Sequence, residues 1–197
     1  DAHTPVFIEE MEHEISRLSR KPLIKVDYDA ASCYDRIIIS LAMLLSRAKG
    51  MPTSVCNVNG MNLEQAKYYL RTKRGVSDDY VVHTREDHWY GSGQGSGNSP
   101  TLWLFISGKL IDSYGEVANG AIYTSPDGKQ EIKMLMTKFV DDANGRTNSW
   151  QSEQEPTIAE LIQKAQHDAQ CWSDLLWASG GAPRAHEMLL LHYQVHI

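Results

Sequence analysis

The sequence predicts an α+β domain, and three observations carry that prediction. Apolar residues recur at helical spacing in several long stretches, short β-type runs stand between them, and 197 residues are enough for one domain with a genuine core. With 42% apolar and 22% charged residues, a collagenous, fully disordered or disulfide-dense chain is excluded.

Thr4, with Pro5 at the first helical position, opens an amphipathic helix over 4–20 that carries Ile8, Met11, Ile15 and Leu18 on one stripe. Lys21 and Pro22 break it, and 23–26 is a short strand that delivers Asp27 and Asp29 at its tip. A strongly apolar helix over 34–48 follows, with Ile37, Ile38, Leu41, Leu44 and Leu45, stopped by Gly50 and Pro52. The next stretch, 52–69, reads as a helix pair with Gly60 between its halves. Residues 70–90 are polar with β-type Tyr80, Val81 and Val82, a hairpin or loop. It leads into Gly-Ser-Gly-Gln-Gly-Ser-Gly-Asn-Ser-Pro at 91–100, and a second buried helix over 101–114 follows. Ser125, Pro126, Asp127 and Gly128 form a turn, and 132–140 alternates as a strand that ends at Asp141 and Asp142. A long helix over 156–178 is closed by Gly180 and Gly181, and the last apolar run, 188–197, is a strand. Trp103, Phe105, Trp172 and Trp177 are expected in the core.

No apolar run approaches the roughly 18 residues that cross a bilayer, so no membrane span is expected. The chain opens on Asp1 without the basic, apolar and small-residue progression of a secretory signal, as expected of a piece cut from something longer. Cys33, Cys56 and Cys171 are odd in number and widely separated, which predicts reduced thiols in an intracellular protein. A net charge of −6 is the wrong sign for holding nucleic acid by bulk electrostatics. A polyanionic partner would need bound cations, a local basic patch or basic segments elsewhere.

Two constellations carry chemistry. Asp29 ends one predicted strand, and Asp141 and Asp142 end another. If those strands share a sheet, the carboxylates converge on an oxygen-rich pocket that hard cations such as magnesium would fill. Two such ions can activate a hydroxyl and neutralise a leaving pyrophosphate. The same residues ahead of Asn144 and Gly145 are also ordinary turn chemistry. The second constellation is the glycine-rich segment opening a helix: glycines admit a close ligand, helix amides favour anions, and Gln94 can hydrogen-bond a sugar or base edge. It lacks the lysine of a Walker loop and the preceding apolar strand of a dinucleotide fingerprint.

Together these pieces resemble the reverse transcriptases of eukaryotic retroelements. The run Asp29, Ala30, Ala31, Ser32, Cys33, Tyr34, Asp35 resembles the first palm motif, and Gln94, Gly95, Ser96, Gly97, Asn98, Ser99, Pro100 the second. Phe139, Val140, Asp141, Asp142 is similar to the third, an aromatic, any residue and two aspartates. The resemblance spans roughly 22–181 and implies a right-hand polymerase palm: an antiparallel sheet with helices packed on one face, plus partial fingers at 52–90. It implies one palm and partial-fingers fragment over 1–197, without complete fingers, thumb or nuclease domain. Asp29, Asp141 and Asp142 match the metal-binding carboxylates, with Asp29 and Asp141 the principal ligands of two magnesium ions, or manganese. Tyr34 matches the aromatic that blocks a 2′-hydroxyl, and Gln94, with Gly95 beside it, the contact to the incoming nucleotide. Asp35 is acidic in the family without being a ligand, and is expected to cap the helix beside it. The implied activity is RNA-directed DNA polymerisation, with deoxynucleoside triphosphates and a primed RNA or DNA template as partners.

There are departures. Too few residues precede Asp29 for complete fingers with their triphosphate-gripping cation, and Glu187 falls where the family's fourth motif carries a lysine, with Arg184 and His186 nearby. These leave open an inactive retroelement remnant that at most binds nucleic acid. An RNA-dependent RNA polymerase is the other neighbour, and Tyr34 argues against it. Lys67, Arg71, Lys73 and Arg74, with Tyr68 and Tyr69, form a local basic and aromatic patch suited to phosphates and stacked bases, or a solvated helix end. His83 and His88 lack the spacing and companions of a zinc site.

Overall fold

The computed structural model describes residues 3–31, 33–84, 90–93, 95–148, 157–181 and 192–194. The chain divides into two compact units, one of residues 1–31, 110–178 and 182–197, the other of 32–109 and 179–181.

The first unit is built on β1, Leu23–Asp29, which pairs antiparallel along its whole length with β7, Asp142–Asn148. β8, His192–Gln194, lies antiparallel on the other edge of β1, and β6, Met136–Phe139, on the far side of β7. The four strands make an antiparallel sheet in the order β6-β7-β1-β8. Side chains alternate along each strand, and cross-strand partners share a face. Ile24, Val26 and Tyr28 therefore lie with Ala143, Gly145 and Thr147 on one face, which meets α5, Ile158–Ala178. There the Tyr28 ring stands 6.2 Å from that of Trp172, and Thr147 Oγ1 donates to Asp168 at 2.9 Å. Asp168 also accepts from the backbone N–H groups of Asn119 and Gly120, at 2.7 and 3.1 Å. A Cβ on Gly145 would lie 2.7 Å from Tyr28 Cε2, so only glycine lets the aromatic ring cross the strand.

The opposite face carries Leu23, Lys25, Asp27, Asp29, Asp142, Asn144, Arg146 and Asn148. α1, His3–Ser19, covers one end of it, with Ile15 against Leu23. Lys25 Nζ pairs with Glu9 at 3.0 Å, and the buried guanidinium of Arg146 with Glu12. Helices thus lie on both faces of the sheet, not on one. Only half of the apolar stripe of α1 is covered: Ile8 and Ile15 are half-buried, Met11 and Leu18 are exposed, and Glu12 is buried. Paired charges rather than the hydrophobic period set the rotation of the helix.

The strand expected over 132–140 breaks at Leu135 into β5, Glu131–Met134, and β6, which belong to different sheets. β5 pairs with β4, Ala121–Thr124, a strand too short to show a period. Asn148 joins β4 to the main sheet, accepting from Ile122 N–H at 2.9 Å and donating to Ile122 C=O at 2.8 Å as a neighbouring strand would.

The second unit holds a single 3-10 turn, Cys33–Arg36, the helices α2, Ile39–Ala48, and α3, Thr53–Glu64, and a hairpin of β2, Tyr68–Thr72, and β3, Gly75–Val81. α4, Ser99–Val117, begins in this unit and ends in the other. The helix expected from residue 34 starts only at Ile39, because Gly91 and Ser92 N–H groups occupy the carbonyls of Ile37 and Tyr34, both at 2.8 Å. Asp35 accordingly lies within the 3-10 turn and is exposed, and α2 starts without a side-chain cap. The expected helix pair is one helix: Gly60 sits inside α3, where an added Cβ would lie 3.4 Å from Met43 of α2. A glycine that resembles a break is a point of close packing.

Trp103 and Trp172 are buried and Phe105 half-buried, whereas Trp177 is exposed. All three cysteines are free thiols, Cys33 and Cys56 buried and Cys171 half-buried. Among the described residues no helix is long and apolar enough to cross a membrane.

Candidate active site

The register of the sheet places the motif acids at one end of it. Asp29, the last residue of β1, is the cross-strand partner of Asp142, the first of β7. Asp142 is also paired with Phe139 of β6, which leaves Val140 and Asp141 as a two-residue connection. Asp29 and Asp141 are half-buried, and Asp142 and Asp27 are exposed. Asn144, one step further along the same face, donates its amide to the Asp27 carboxylate.

Two local rules are broken here. Like charges directly opposite each other destabilise a strand pair, yet Asp29 opposes Asp142. Two-residue hairpin turns need positive φ, which glycine or asparagine supplies, yet Val140 adopts φ +57°. For a β-branched residue that conformation costs on the order of 1–3 kcal/mol. Departures of this kind concentrate at functional sites.

The sheet fixes these residues through groups that the sequence did not single out. Arg146 donates Nη1 to the Asn144 carbonyl at 3.0 Å and Nη2 to Thr137 on β6, besides its bond to Glu12. It therefore ties the two strands of the acidic hairpin to α1. Burial acts to raise the Glu9 carboxyl, but the hydrogen bond and charge of Lys25, with His13 and Arg146 adding, hold it below its ordinary 4.5. Burial drives the phenols of Tyr28 and Tyr114 up, so the aromatic layer under the sheet stays neutral.

The carboxylates are expected at the end of a strand over 132–140; Asp142 instead begins β7, and Asn144 and Gly145, the residues of the alternative turn reading, lie within that strand. Among the described residues no group of three or more His, Cys, Asp or Glu side chains is gathered closely enough to hold a metal ion.

The nucleotide-motif residues lie in the second unit. Tyr34 is half-buried in the 3-10 turn. The glycine-rich segment is stitched to that turn: Ser92 N–H donates to Tyr34 C=O, and at Gly91, φ +109°, a Cβ would lie 2.8 Å from Asp35 Cα. Buried Ser99, at the start of α4, turns its hydroxyl to the carbonyls of Gly93, at 2.8 Å, and Ser92, at 3.0 Å. Backbone bonds thus tie the segment leading into the second motif to the 3-10 turn that carries Tyr34. Gly95 is exposed at φ +91° with open space where a Cβ would be. Gln94, His88, Arg184, His186 and Glu187 lie outside the described residues. Lys67, Arg71, Lys73 and Arg74 are exposed, and the last three lie on the β2–β3 hairpin and its turn rather than at a helix end.

This α+β arrangement of antiparallel sheets and helices is a reverse-transcriptase-like fold. Among solved structures, it is similar to that of apo telomerase, a reverse transcriptase, from Candida tropicalis, truncated from its C-terminal domain. The two share a TM-score of 0.59 and 14% sequence identity, over 100% of this chain and 36% of that one. The chain therefore spans about a third of the telomerase chain it matches, and the likeness is one of fold. No protein-family model matches the sequence, and no curated protein matches it.

Proposed function

We propose that the chain is the palm, with part of the fingers, of a eukaryotic retroelement reverse transcriptase, an intracellular RNA-directed DNA polymerase. The observation that carries this reading is the register of Asp29 with Asp142 beside the strained Val140–Asp141 connection, in a chain that carries three polymerase motifs in order. By the resemblance, Asp29, Asp141 and Asp142 would hold two magnesium ions, or manganese, although their side chains are not gathered into a three-carboxylate group in this structure. A metal held there would supply activation of the primer 3′-hydroxyl and neutralisation of the leaving pyrophosphate. The chain's own part is positional. The β1–β7 ladder holds Asp29 opposite Asp142; by the resemblance, Tyr34 would exclude a 2′-hydroxyl, and Gln94 and Gly95 would contact the incoming deoxynucleoside triphosphate. The nucleic-acid partner is a primed RNA or DNA template, and no membrane is involved.

Primer extension on an RNA template with magnesium or manganese tests the reading, using this chain and the chain completed with fingers and thumb. Incorporation is expected and is lost in Asp141→Asn, while Tyr34→Ala admits ribonucleotides. The competing reading, an inactive remnant that at most binds nucleic acid, is favoured by the lack of a gathered three-carboxylate group among the described residues. No incorporation by the completed chain with either metal establishes the remnant instead.

A further inference from the structure

By their distances from one another along the chain, the three cysteines show no metal-site spacing, but one of them stands beside a histidine. His167 and Cys171 are four residues apart on α5, so their side chains meet on one face of the helix. Cys171 Sγ lies 3.7 Å from Nε2 and 3.8 Å from Nδ1 of the His167 ring. Tetrahedral zinc, bonded at about 2.3 Å to sulfur and about 2.0 Å to nitrogen, holds two such ligand atoms roughly 3.6 Å apart. The pair is therefore already at ligand spacing. His167 is exposed and Cys171 half-buried, so an ion reaches both from solvent. The second torsion of a histidine side chain is soft, and a rotation about it turns a ring nitrogen toward that ion.

The surroundings suit the same use. Asp168 Oδ1 stands 3.4 Å from His167 Nδ1. A carboxylate only accepts, so Nδ1 carries the hydrogen and Nε2, the atom nearer the sulfur, keeps its lone pair. A ligating histidine is oriented from behind by a carboxylate in this way. The side-chain amide of Asn119 lies 3.5 Å from the same ring nitrogen, but it already donates to Asp168 at 2.8 Å. Asp168 is itself buried and held by the backbone N–H groups of Asn119 and Gly120 and the Thr147 hydroxyl, so it cannot drift from the ring. Asp168 and Asp174 also set negative charge beside the thiol, a field that favours a cation. We propose that His167 and Cys171 bind one soft divalent cation, zinc or its analogue cadmium, with water in the remaining positions. Thiolate and imidazole select such an ion over magnesium, which prefers oxygen. The thiol proton leaves to solvent as the sulfur–metal bond forms. Through Asp168 the ion is tied to the connection between α4 and β4, and so adds a clasp within the first unit. The site uses none of the polymerase motifs and stands apart from that reading.

The test is titration of the untagged whole chain with cadmium in excess magnesium, followed by thiolate-to-metal charge-transfer absorption in the ultraviolet. An absorption that saturates at one cadmium per chain and is displaced by zinc is expected. Cys171→Ser should abolish it although Cys33 and Cys56 remain, and His167→Ala should remove the saturation at one equivalent. Zinc should raise the melting temperature of the parent and leave that of either variant where it was. Cys171→Ala and His167→Gln stand in for any variant that does not keep the parent's far-ultraviolet circular dichroism spectrum. The proposal is overturned if no saturable absorption appears, if a folded Cys171→Ser chain retains it, if a folded His167→Ala chain titrates as the parent, or if zinc does not raise the parent's melting temperature.

Discussion

The β1–β7 pair and the β2–β3 hairpin are both antiparallel ladders of short strands, and they treat polarity in opposite ways. In the first, Lys25, Arg146, Thr147 and Asn148 are buried; in the second, Leu70, Val76, Tyr80 and Val81 are exposed. The difference lies in what surrounds each ladder. β1 and β7 each have a strand on both edges and a helix against each face of the pair, so the buried cations there turn to protein partners. Arg146 does so through Glu12, Thr137 and the Asn144 carbonyl. A side chain's composition therefore says less about its burial than the number of neighbours its strand acquires.

Substitutions should separate the two regions sharply. Glu12→Gln leaves the buried Arg146 without its carboxylate, while Lys25 keeps Glu9, and should cost about 3–5 kcal/mol in urea unfolding. A loss below about 1 kcal/mol would mean that α1 does not anchor the sheet through charge. Gly145→Ala drives a methyl into the Tyr28 ring and should cost about 1–3 kcal/mol, with Tyr28→Leu in the same chain recovering part of it. Val140→Asn should go the other way, gaining about 1 kcal/mol, because asparagine tolerates the left-handed conformation. An unchanged or lower melting temperature would place no strain at that turn.

Glu9 gives a pH signature. Its folded carboxyl lies below the ordinary 4.5, so its contribution to stability is complete above that value and fades as the pH falls through the folded one. Stability curves of the parent and Glu9→Gln should therefore converge on the acid side and part above about pH 4.5. In the hairpin, Val76→Thr should change stability by less than about 0.5 kcal/mol, since the residue is already in water. A cost of about 2 kcal/mol there would show that the arm is packed in solution.

Much of the α-helical framework was legible because helices announce themselves locally. The apolar spacing of α2, α4 and α5 repeats within a few residues, and Pro or Gly marks several of their ends. The acidic motif was legible as a motif, but its setting was not. Nothing in Asp142, Ala143, Asn144, Gly145, Arg146, Thr147 and Asn148 resembles a central strand by propensity. Its stability comes from partners far along the chain: Glu12 is 134 residues from Arg146, and Asp27 is 117 from Asn144. The same holds for α1, whose apolar stripe predicted the helix but only part of its buried side: Ile8 and Ile15 are half-buried, Met11 and Leu18 are not. Lys67, Arg71, Lys73 and Arg74 were recognisable as a basic cluster, yet only the pairing of Tyr69 with Tyr80 sorts them onto a hairpin with two faces.

By itself, then, the sequence determined the class of secondary structure, most of its helices, and the order of three short motifs, all of which are written within windows of a few residues. The tertiary structure alone decided that Asp29 stands opposite Asp142, that a polar heptapeptide forms an interior strand, and that α1 turns Glu12 inward. Those outcomes depend on hydrogen bonds and ion pairs between residues that only the fold makes neighbours, and no local period can encode a partner a hundred residues away.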